Sequence, residues 1–333
     1  MGSRIGRTVL RRLLQSVPVL LIVAAGIFGL LELASGDAVD AYLAGAGGDT
    51  AFAERLRREW GLDQSAATRF LIYAQAVATL DFGWSVAVSM PVVEAIAQRL
   101  PTTLLMMGSA VLLSAAFGSV LGGIAALHRG RPLDSGITVG GLILNAMPNF
   151  WLGLIFMVVF VVKLDWFPLG GIATMGAGGG FVARAADLVW HLVLPVLTLA
   201  LTYMALYLRL MRGAMIETQA SDWVRAARAR GLPRGRVIRR HIARPALLPV
   251  VTMLGLQTGN LLGGSVVIEH VFSIPGLGSL AFEAVRQRDL PLVAGILLAG
   301  TLLVIVINLL VDLAYAWLDP RVADARAQPG AGR

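Results

Sequence analysis

Residues 102–127 read TTLLMMGSAVLLSAAFGSVLGGIAAL, a run of 26 residues without a charged side chain. An α-helix rises about 1.5 Å per residue, and a membrane span needs roughly 20 apolar residues, so this run is long enough to cross a bilayer. Backbone polar groups in lipid must find hydrogen-bond partners within the protein, which favours a helix. The stretch therefore predicts a membrane-spanning helix.

Five further apolar runs extend this prediction to an all-α membrane protein with six spans. The chain is 57% hydrophobic and 14% charged, against about 25% charged residues in soluble domains. The first run could also be a secretory signal peptide, but it is longer than the usual apolar core of about 7–15 residues, so an uncleaved span is the better interpretation. The six predicted spans are Leu13–Leu33, Thr102–Leu127, Ile137–Val162, Leu188–Leu208, Pro245–Ile268 and Leu290–Leu318.

The arginines predict how the chain is oriented. Ten arginines lie between Arg209 and Arg244, and others precede the first run and follow the last one. Loops rich in Lys and Arg favour the cytoplasmic side, so both termini are expected to be cytoplasmic. The net charge of +8 is then explained by orientation and does not indicate nucleic-acid binding.

These assignments divide the chain into four parts. Residues 1–35 form a tail and the first span, and residues 36–101 form a small periplasmic cap, with helices expected near Phe52–Trp60, Arg69–Leu80 and Pro91–Arg99. Residues 102–318 form the transmembrane core, which includes a cytoplasmic loop at 213–244. Residues 319–333 form a cytoplasmic tail.

Several kinds of chemistry are missing from the sequence. Lys163 is the only lysine and stands in Val-Val-Lys-Leu, so the chain lacks the Gly-Lys-Ser/Thr sequence of a P-loop and no ATP site of that kind is expected. The chain has no cysteine, and its four histidines are scattered without the spacing of metal ligands. We therefore expect no metal site, no resident cofactor and no catalytic residue.

Polar residues and prolines within the apolar runs are candidates for a transport pathway. Pro148 and Pro195 each remove a backbone donor and bend a helix. Ionisable groups in a span are costly, so Asp312, four residues after Asn308, is a functional candidate whose alternative is a hydrogen bond between helices. The candidates for the pathway are Asn145, Asn149, Asn260 and Asp312.

The basic loop has its own local signals. Asp222 can cap a short helix, Gly231 suits the left-handed residue that ends it, and Pro233 can start the next helix. Ala226 and Ala227 leave a surface of low relief that another protein could approach closely. The residues alone leave two interpretations open, a docking surface for a protein or a set of arginines at an anionic membrane surface.

This loop resembles the EAA loop of ABC importer permeases, whose pattern is Glu-Ala-Ala, three residues and Gly. Arg225-Ala226-Ala227 and Gly231 match that spacing, with Arg225 in place of Glu. The form Asp-Trp-Val-Arg-x-Ala-Arg-Ala-x-Gly-Leu is similar to the permeases for dipeptides, oligopeptides and nickel. The resemblance implies that the ATPase contact consists of Asp222, Arg225, Ala226, Ala227, Arg228, Arg230, Gly231 and Leu232.

Further motifs resemble the same subgroup from about residue 5 to 321, and the long segment after the first span resembles the first of its two paired permeases. Glu269-His-Val-Phe-Ser-Ile-Pro-Gly-Leu-Gly278 resembles its last outer loop, which implies an outer mouth that includes Glu269, Pro275, Gly276 and Gly278. Glu269 could meet a peptide amine there, and its alternative is a structural salt bridge.

The resemblance implies a mechanism and a set of partners. A second permease, two ATPases that bind ATP and Mg, and a periplasmic solute-binding protein would complete an importer in the bacterial inner membrane, with peptides as the expected cargo. A carrier or channel that works alone, and a membrane scaffold or receptor, are the alternatives. They would be indicated by more intramembrane charge, by an internal repeat or by the lack of transport.

Overall fold

The computed structural model describes residues 2–33, 64–79, 81–174, 176, 178–258 and 261–318. Almost all of these residues are helical or lie in short connections between helices. The chain divides into two compact units, Met1–Leu100 with Leu280–Arg333, and Pro101–Ser279.

The first unit is built around two long helices, α1 (Gly2–Leu33) and α12 (Leu290–Leu318). They pack together through Ala24, Ile27, Ala294 and Leu298, all nearly inaccessible to solvent. Small residues allow two helices in a membrane protein to approach closely, which explains the alanines at this contact.

A helix α2 (Ala66–Thr79) and a two-stranded hairpin also belong to this unit. The hairpin pairs β1 (Trp84–Ser85) with β2 (Met90–Pro91) in antiparallel fashion. Asp289 holds it, because its Oδ2 accepts hydrogen bonds from Ser85 Oγ (2.7 Å) and the Ala87 amide (2.9 Å). Its Oδ1 accepts a bond from the Leu292 amide at 3.0 Å, which caps the start of α12.

The second unit contains the remaining helices. In chain order they are α3 (Val92–Leu127, of which the second unit holds the part from Pro101), α4 (Pro132–Ala146), α5 (Asn149–Phe156), a π-helical stretch at Met157–Lys163, α6 (Phe181–Gln219), α7 (Asp222–Ala229), α8 (Arg234–Arg236), a second π-helical stretch at Val237–Ala243, α9 (Arg244–Thr258), α10 (Leu261–Val271) and the start of α11 (Leu277–Arg286).

Two glycines let α3 and α6 cross at close range. A Cβ built on Gly118 would lie 2.6 Å from the carbonyl oxygen of Met204, and one built on Gly122 would strike the carbonyl oxygen of Leu208. Any side chain at either position would push the helices apart, so glycine is required by the crossing itself.

The membrane spans predicted from the sequence are confirmed in part. Among the described residues, three helices are long and apolar enough to cross a membrane: α3, α6 and Leu290–Leu310 of α12. The third predicted span, Ile137–Val162, is broken: α4 and the helix from Asn149 to Lys163 meet at an angle of 99°, and they form a fourth span only if the bent pair is counted as one. Pro148 lies at this break, where it is the residue that precedes α5.

Two of the three helices predicted within residues 36–101 are present. The helix expected near Arg69–Leu80 is present as α2, and the one expected at Pro91–Arg99 is the first part of α3, continuous with the second predicted span. The helix expected near Phe52–Trp60 lies outside the described residues.

Candidate functional site

The basic loop folds as a short helix followed by a turn. Helix α7 runs from Asp222 to Ala229, and Gly231 then adopts a φ of +73°, as predicted for a left-handed residue. The capping position is Ser221, not Asp222: Ser221 Oγ donates to the Thr218 carbonyl at 2.6 Å and makes no cap hydrogen bond, while Asp222 is the first helical residue. A carboxylate in the first turn still favours the positive end of the helix dipole.

One face of α7 is part of the core of the second unit. Val224 and Ala227 are fully buried, and they pack in a cluster with Met211 and Met215 of α6 and Val237 of the π-helical stretch. Ala227 therefore has no surface to offer a partner in this arrangement. Its small side chain is what allows α7 to lie close to the ends of the longer helices.

The opposite face of α7 is open to solvent. Trp223 is 56% exposed although its indole N–H donates to the His241 carbonyl at 3.4 Å. Ala226 and Arg230, three and seven residues further on, are exposed as well, so the three form one stripe along the helix. Gly231 is exposed and Leu232 is half-buried just beyond this stripe.

The charges on α7 lie in solvent. Asp222 Oδ1 and Arg225 Nη2 are 3.2 Å apart, and both side chains are mostly exposed, so the pair is screened by water and salt. Arg228 is exposed too, and in the described part of the chain it makes no ion pair. Trp223 and Ala226 thus form an apolar centre beside exposed arginines, an arrangement found in many protein interfaces.

The ion pair between Asp134 and Arg212, which supports this region, was not foreseen from the sequence. Asp134 at the start of α4 accepts hydrogen bonds from Arg212 Nε (2.7 Å) and Nη2 (2.8 Å) of α6, and one from the Gly130 amide at 3.0 Å. A planar guanidinium meeting a buried carboxylate with two bonds fixes the orientation of both helices. The sequence signal was an acid three residues before a predicted span, where a charge near the apolar region is costly unless it is paired.

Trp223 is also a residue that the sequence analysis did not select. The signal for it was a large aromatic side chain within a segment of alanines and arginines, since exposed aromatic residues are frequent centres of binding interfaces.

Glu269, predicted at an outer mouth, is fully buried within the second unit. Its Oε1 accepts from Thr103 Oγ1 and its Oε2 from the Ser279 amide, both at 2.7 Å, while Thr103 Oγ1 accepts from the Leu277 amide at 2.8 Å. A side chain on Gly276 or Gly278 would strike this carboxylate or the backbone of Val266. The cluster holds the turn that starts at the half-buried Pro275, and Glu269 reaches a ligand only if the turn opens.

Of the predicted pathway residues, Asn145 and Asn149 have described side chains. Asn145 is exposed near the end of α4, and Asn149 begins α5, where its Oδ1 accepts a hydrogen bond from the Phe150 amide at 2.7 Å. Asn260 lies outside the described residues, and Asp312 is placed in α12 without a described side chain. Within the described ranges, no group of three or more His, Cys, Asp or Glu residues could hold a metal ion.

A family comparison places this geometry in context. Residues 118–324 match the family described as "Binding-protein-dependent transport system inner membrane component", a range that includes α6, the basic loop and α9. The chain belongs to this family. The resemblance seen in the basic loop is thereby confirmed.

Known proteins are similar to this chain over almost its whole length. A Bacillus subtilis protein named oligopeptide transport system permease protein AppB is 36% identical over 315 residues, covering 94% of this chain and 98% of that protein. A Brucella abortus protein named as a peptide transport system permease is 37% identical over 314 residues, again covering 94% and 98%.

The fold also has a counterpart among solved structures. The MetNI methionine ABC transporter, in an inward-facing conformation, contains a chain that superposes with a TM-score of 0.50 at 16% identity. The match covers 70% of this chain and 96% of that chain. At this identity the likeness concerns the fold alone.

Proposed function

We propose that this chain is the membrane-spanning permease subunit of an ATP-driven importer of peptides in the bacterial inner membrane. The observation that carries the proposal is the stripe of Trp223, Ala226 and Arg230, an exposed surface on a helix whose other face is buried in the ends of long apolar helices. A force applied to this surface reaches those helices directly, because Val224 and Ala227 belong to their core.

The partners follow from family membership and from the missing P-loop. Two ATPase subunits bind and hydrolyse ATP with Mg, and each docks on one such helix; the chain itself contributes no catalytic group and holds no cofactor. A second, homologous permease forms the other half of the pathway, and a periplasmic solute-binding protein delivers the cargo. Peptides are the cargo because the relatives from Bacillus subtilis and Brucella abortus are named as peptide permeases.

The complete topology belongs to this proposal. The chain crosses the membrane six times with both termini in the cytoplasm, the segment 36–101 forms a periplasmic cap, and the loop 213–244 faces the ATPases. The pathway lies among Asn145, Asn149, Asn260 and Asp312, and the turn held by Glu269 lies at the outer mouth. Alternating access then follows when ATP binding draws the two docking helices together.

Replacing Trp223 by alanine tests the docking surface. Truncating an aromatic residue at the centre of an interface costs at least about 2 kcal/mol of binding free energy. Trp223→Ala should therefore weaken the affinity for the ATPase by about thirtyfold, so that less ATPase co-purifies with the chain. Transport in proteoliposomes should fall with it. The protein should remain inserted and folded, because the side chain is exposed.

Trp166→Ala is the matched control, since Trp166 is also 56% exposed but lies outside the basic loop. We expect it to retain the ATPases. Equal retention in both variants would contradict the docking assignment, and a wild-type chain that purifies alone in mild detergent would favour a carrier that works without partners. Mass spectrometry of the ligand held by a co-purified solute-binding protein would identify the cargo.

A further inference from the structure

A cavity of about 400 Å³ lies at helix α7, which contributes Arg228 to its wall. Its apolar wall comes from the last residue of α3, Leu127, and from Val237 and Ile242 of the π-helical stretch that leads into α9. Its volume is within the usual range of about 300–1,000 Å³ for small-molecule sites. The cavity therefore sits where three helices of the second unit end or begin.

The polar groups of this cavity are hydrogen-bond donors. Arg228 and Arg234 line it, and throughout the described residues neither makes an ion pair, while the neighbouring Asp222 is paired with Arg225. Gln219 lines it as well, and its Nε2 is shielded from solvent without a hydrogen-bond partner in the described part of the chain. A buried donor without an acceptor is unfavourable, and the two arginines without an ion-pair partner favour an acceptor that carries negative charge.

We propose that this cavity binds the phosphate of an anionic phospholipid. Basic pockets between membrane helices on the cytoplasmic side bind the headgroups of anionic lipids, and phosphate oxygens accept from both arginine and amide donors. The aliphatic wall suits the glycerol and the first methylene groups of a lipid, whereas a free anion or an acidic side chain of a protein would leave that wall bare. Only the cytoplasmic location rests on the proposed function.

The lipid would sit between α7 and the ends of α3 and α6. It would therefore fill the cavity at the docking helix and hold that helix in place while its outer face contacts a partner. Support of this kind makes the coupling of the importer depend on the anionic lipid content of the membrane.

The test is a lipid titration followed by native mass spectrometry on the full-length, delipidated chain in detergent. Phosphatidylglycerol is the probe, phosphatidylcholine is the zwitterionic comparison, and inorganic phosphate is the competitor. We expect phosphatidylglycerol to bind at least about tenfold more tightly than phosphatidylcholine, and inorganic phosphate at the same concentration not to displace it.

Arg234→Gln and Arg239→Gln form the decisive pair, because each removes one exposed arginine and only Arg234 lines the cavity. Arg234→Gln should weaken phosphatidylglycerol binding by about tenfold, and Arg239→Gln by less than about twofold. Gln219→Leu should also weaken binding without lowering the unfolding temperature, because it removes the unsatisfied donor.

Three results would overturn the inference. Equal losses in the two arginine variants would mean a diffuse attraction to the basic surface. Displacement by inorganic phosphate would make a soluble anion the ligand, and displacement by added ATPase subunits would assign the cavity to a protein partner. None of these measurements uses transport. The lipid site can therefore be disproved while the proposed function stands, and the proposed function can be disproved while the lipid site stands.

Discussion

Gly231 shows how one residue determines the end of helix α7. Its φ of +73° lies in the region that L-residues with a Cβ avoid, and open space surrounds the position, so the constraint comes from the backbone and not from a neighbouring side chain. The Gly231 amide donates to the Arg228 carbonyl at 3.0 Å, which closes the last turn of α7. The turn directs the chain from α7 towards Pro233 and the next helix.

We predict that Gly231→Ala destabilises the loop by about 1–2 kcal/mol, since an L-residue with a Cβ pays this cost in the left-handed region. Gly231→Asn should be close to wild type, because asparagine tolerates that conformation. Thermal unfolding in detergent and ATPase co-purification measure the effect. Gly235→Ala is the control, because Gly235 lies in α8 without a positive φ and has open space around it. A Gly231→Ala variant as stable as Gly235→Ala would show that the turn is not constrained.

Asp134 and Glu269 are residues whose roles the sequence could not reveal. Each is an acid near or within an apolar run, and burial with specific donors is the structural solution in both cases. The partners, Arg212 for Asp134 and Thr103 for Glu269, are 78 and 166 residues away in the chain, and single-sequence patterns carry no signal for such distant pairs. The presence of a costly group was predictable, but its partner was not.

At the scale of elements, α7 combines two functions on its two faces. Val224 and Ala227 attach it to the core, and Trp223 and Ala226 face outward. The sequence predicted this helix and its end at Gly231, since both depend on local signals. The sequence analysis treated Ala226 and Ala227 alike, although the helical period already groups Ala227 with Val224 on one apolar face.

The two alanines should therefore respond differently to the same substitution. Ala227→Leu adds volume to a packed core and should destabilise the protein by about 1–3 kcal/mol. Ala226→Leu should leave the unfolding temperature unchanged. It should lower ATPase co-purification, because the larger side chain keeps a partner from approaching the exposed stripe closely. Thermal unfolding and ATPase co-purification, measured for both variants, separate the two effects. A larger loss of stability in Ala226→Leu than in Ala227→Leu would mean that Ala226, and not Ala227, faces the core.

The broken third span is a second case at this scale. Pro148 within an apolar run predicts a bend, and the bend is present, but its angle of 99° is far larger than a proline kink alone requires. The angle depends on how α4 and α5 each pack against α6, where Gly141 lies against Leu208 and Gly153 lies close to Thr198. Packing of this kind is not encoded in the local sequence.

For the whole molecule, the similarity extends over 94% of the chain, while the described structure contains three helices, or four with the bent pair, that qualify as spans by length and composition. Composition and apolar runs were sufficient to predict the class of protein. The run at Leu13–Leu33 lies in α1, and the run at Pro245–Ile268 falls on α9 and α10, with residues 259 and 260 outside the described ranges.

The orientation can be tested directly because the chain has no cysteine of its own. We predict that Gly45→Cys reacts with a membrane-impermeant thiol reagent from the periplasmic side and Gly235→Cys only from the cytoplasmic side. The wild-type chain is the control and should not be labelled. Labelling of both cysteines from one side of the membrane would contradict the six-span topology.

The small size of α7 has a consequence for anyone who wishes to block the importer. A helix of eight residues is not stable in water on its own, and here the core supplies its stability through Val224 and Ala227. A synthetic peptide copied from this loop should therefore be unstructured and should compete poorly for the ATPases. A hydrocarbon staple that joins positions 224 and 227 would replace the missing core while leaving Trp223 and Ala226 free, which makes the buried face the natural place to constrain an inhibitor.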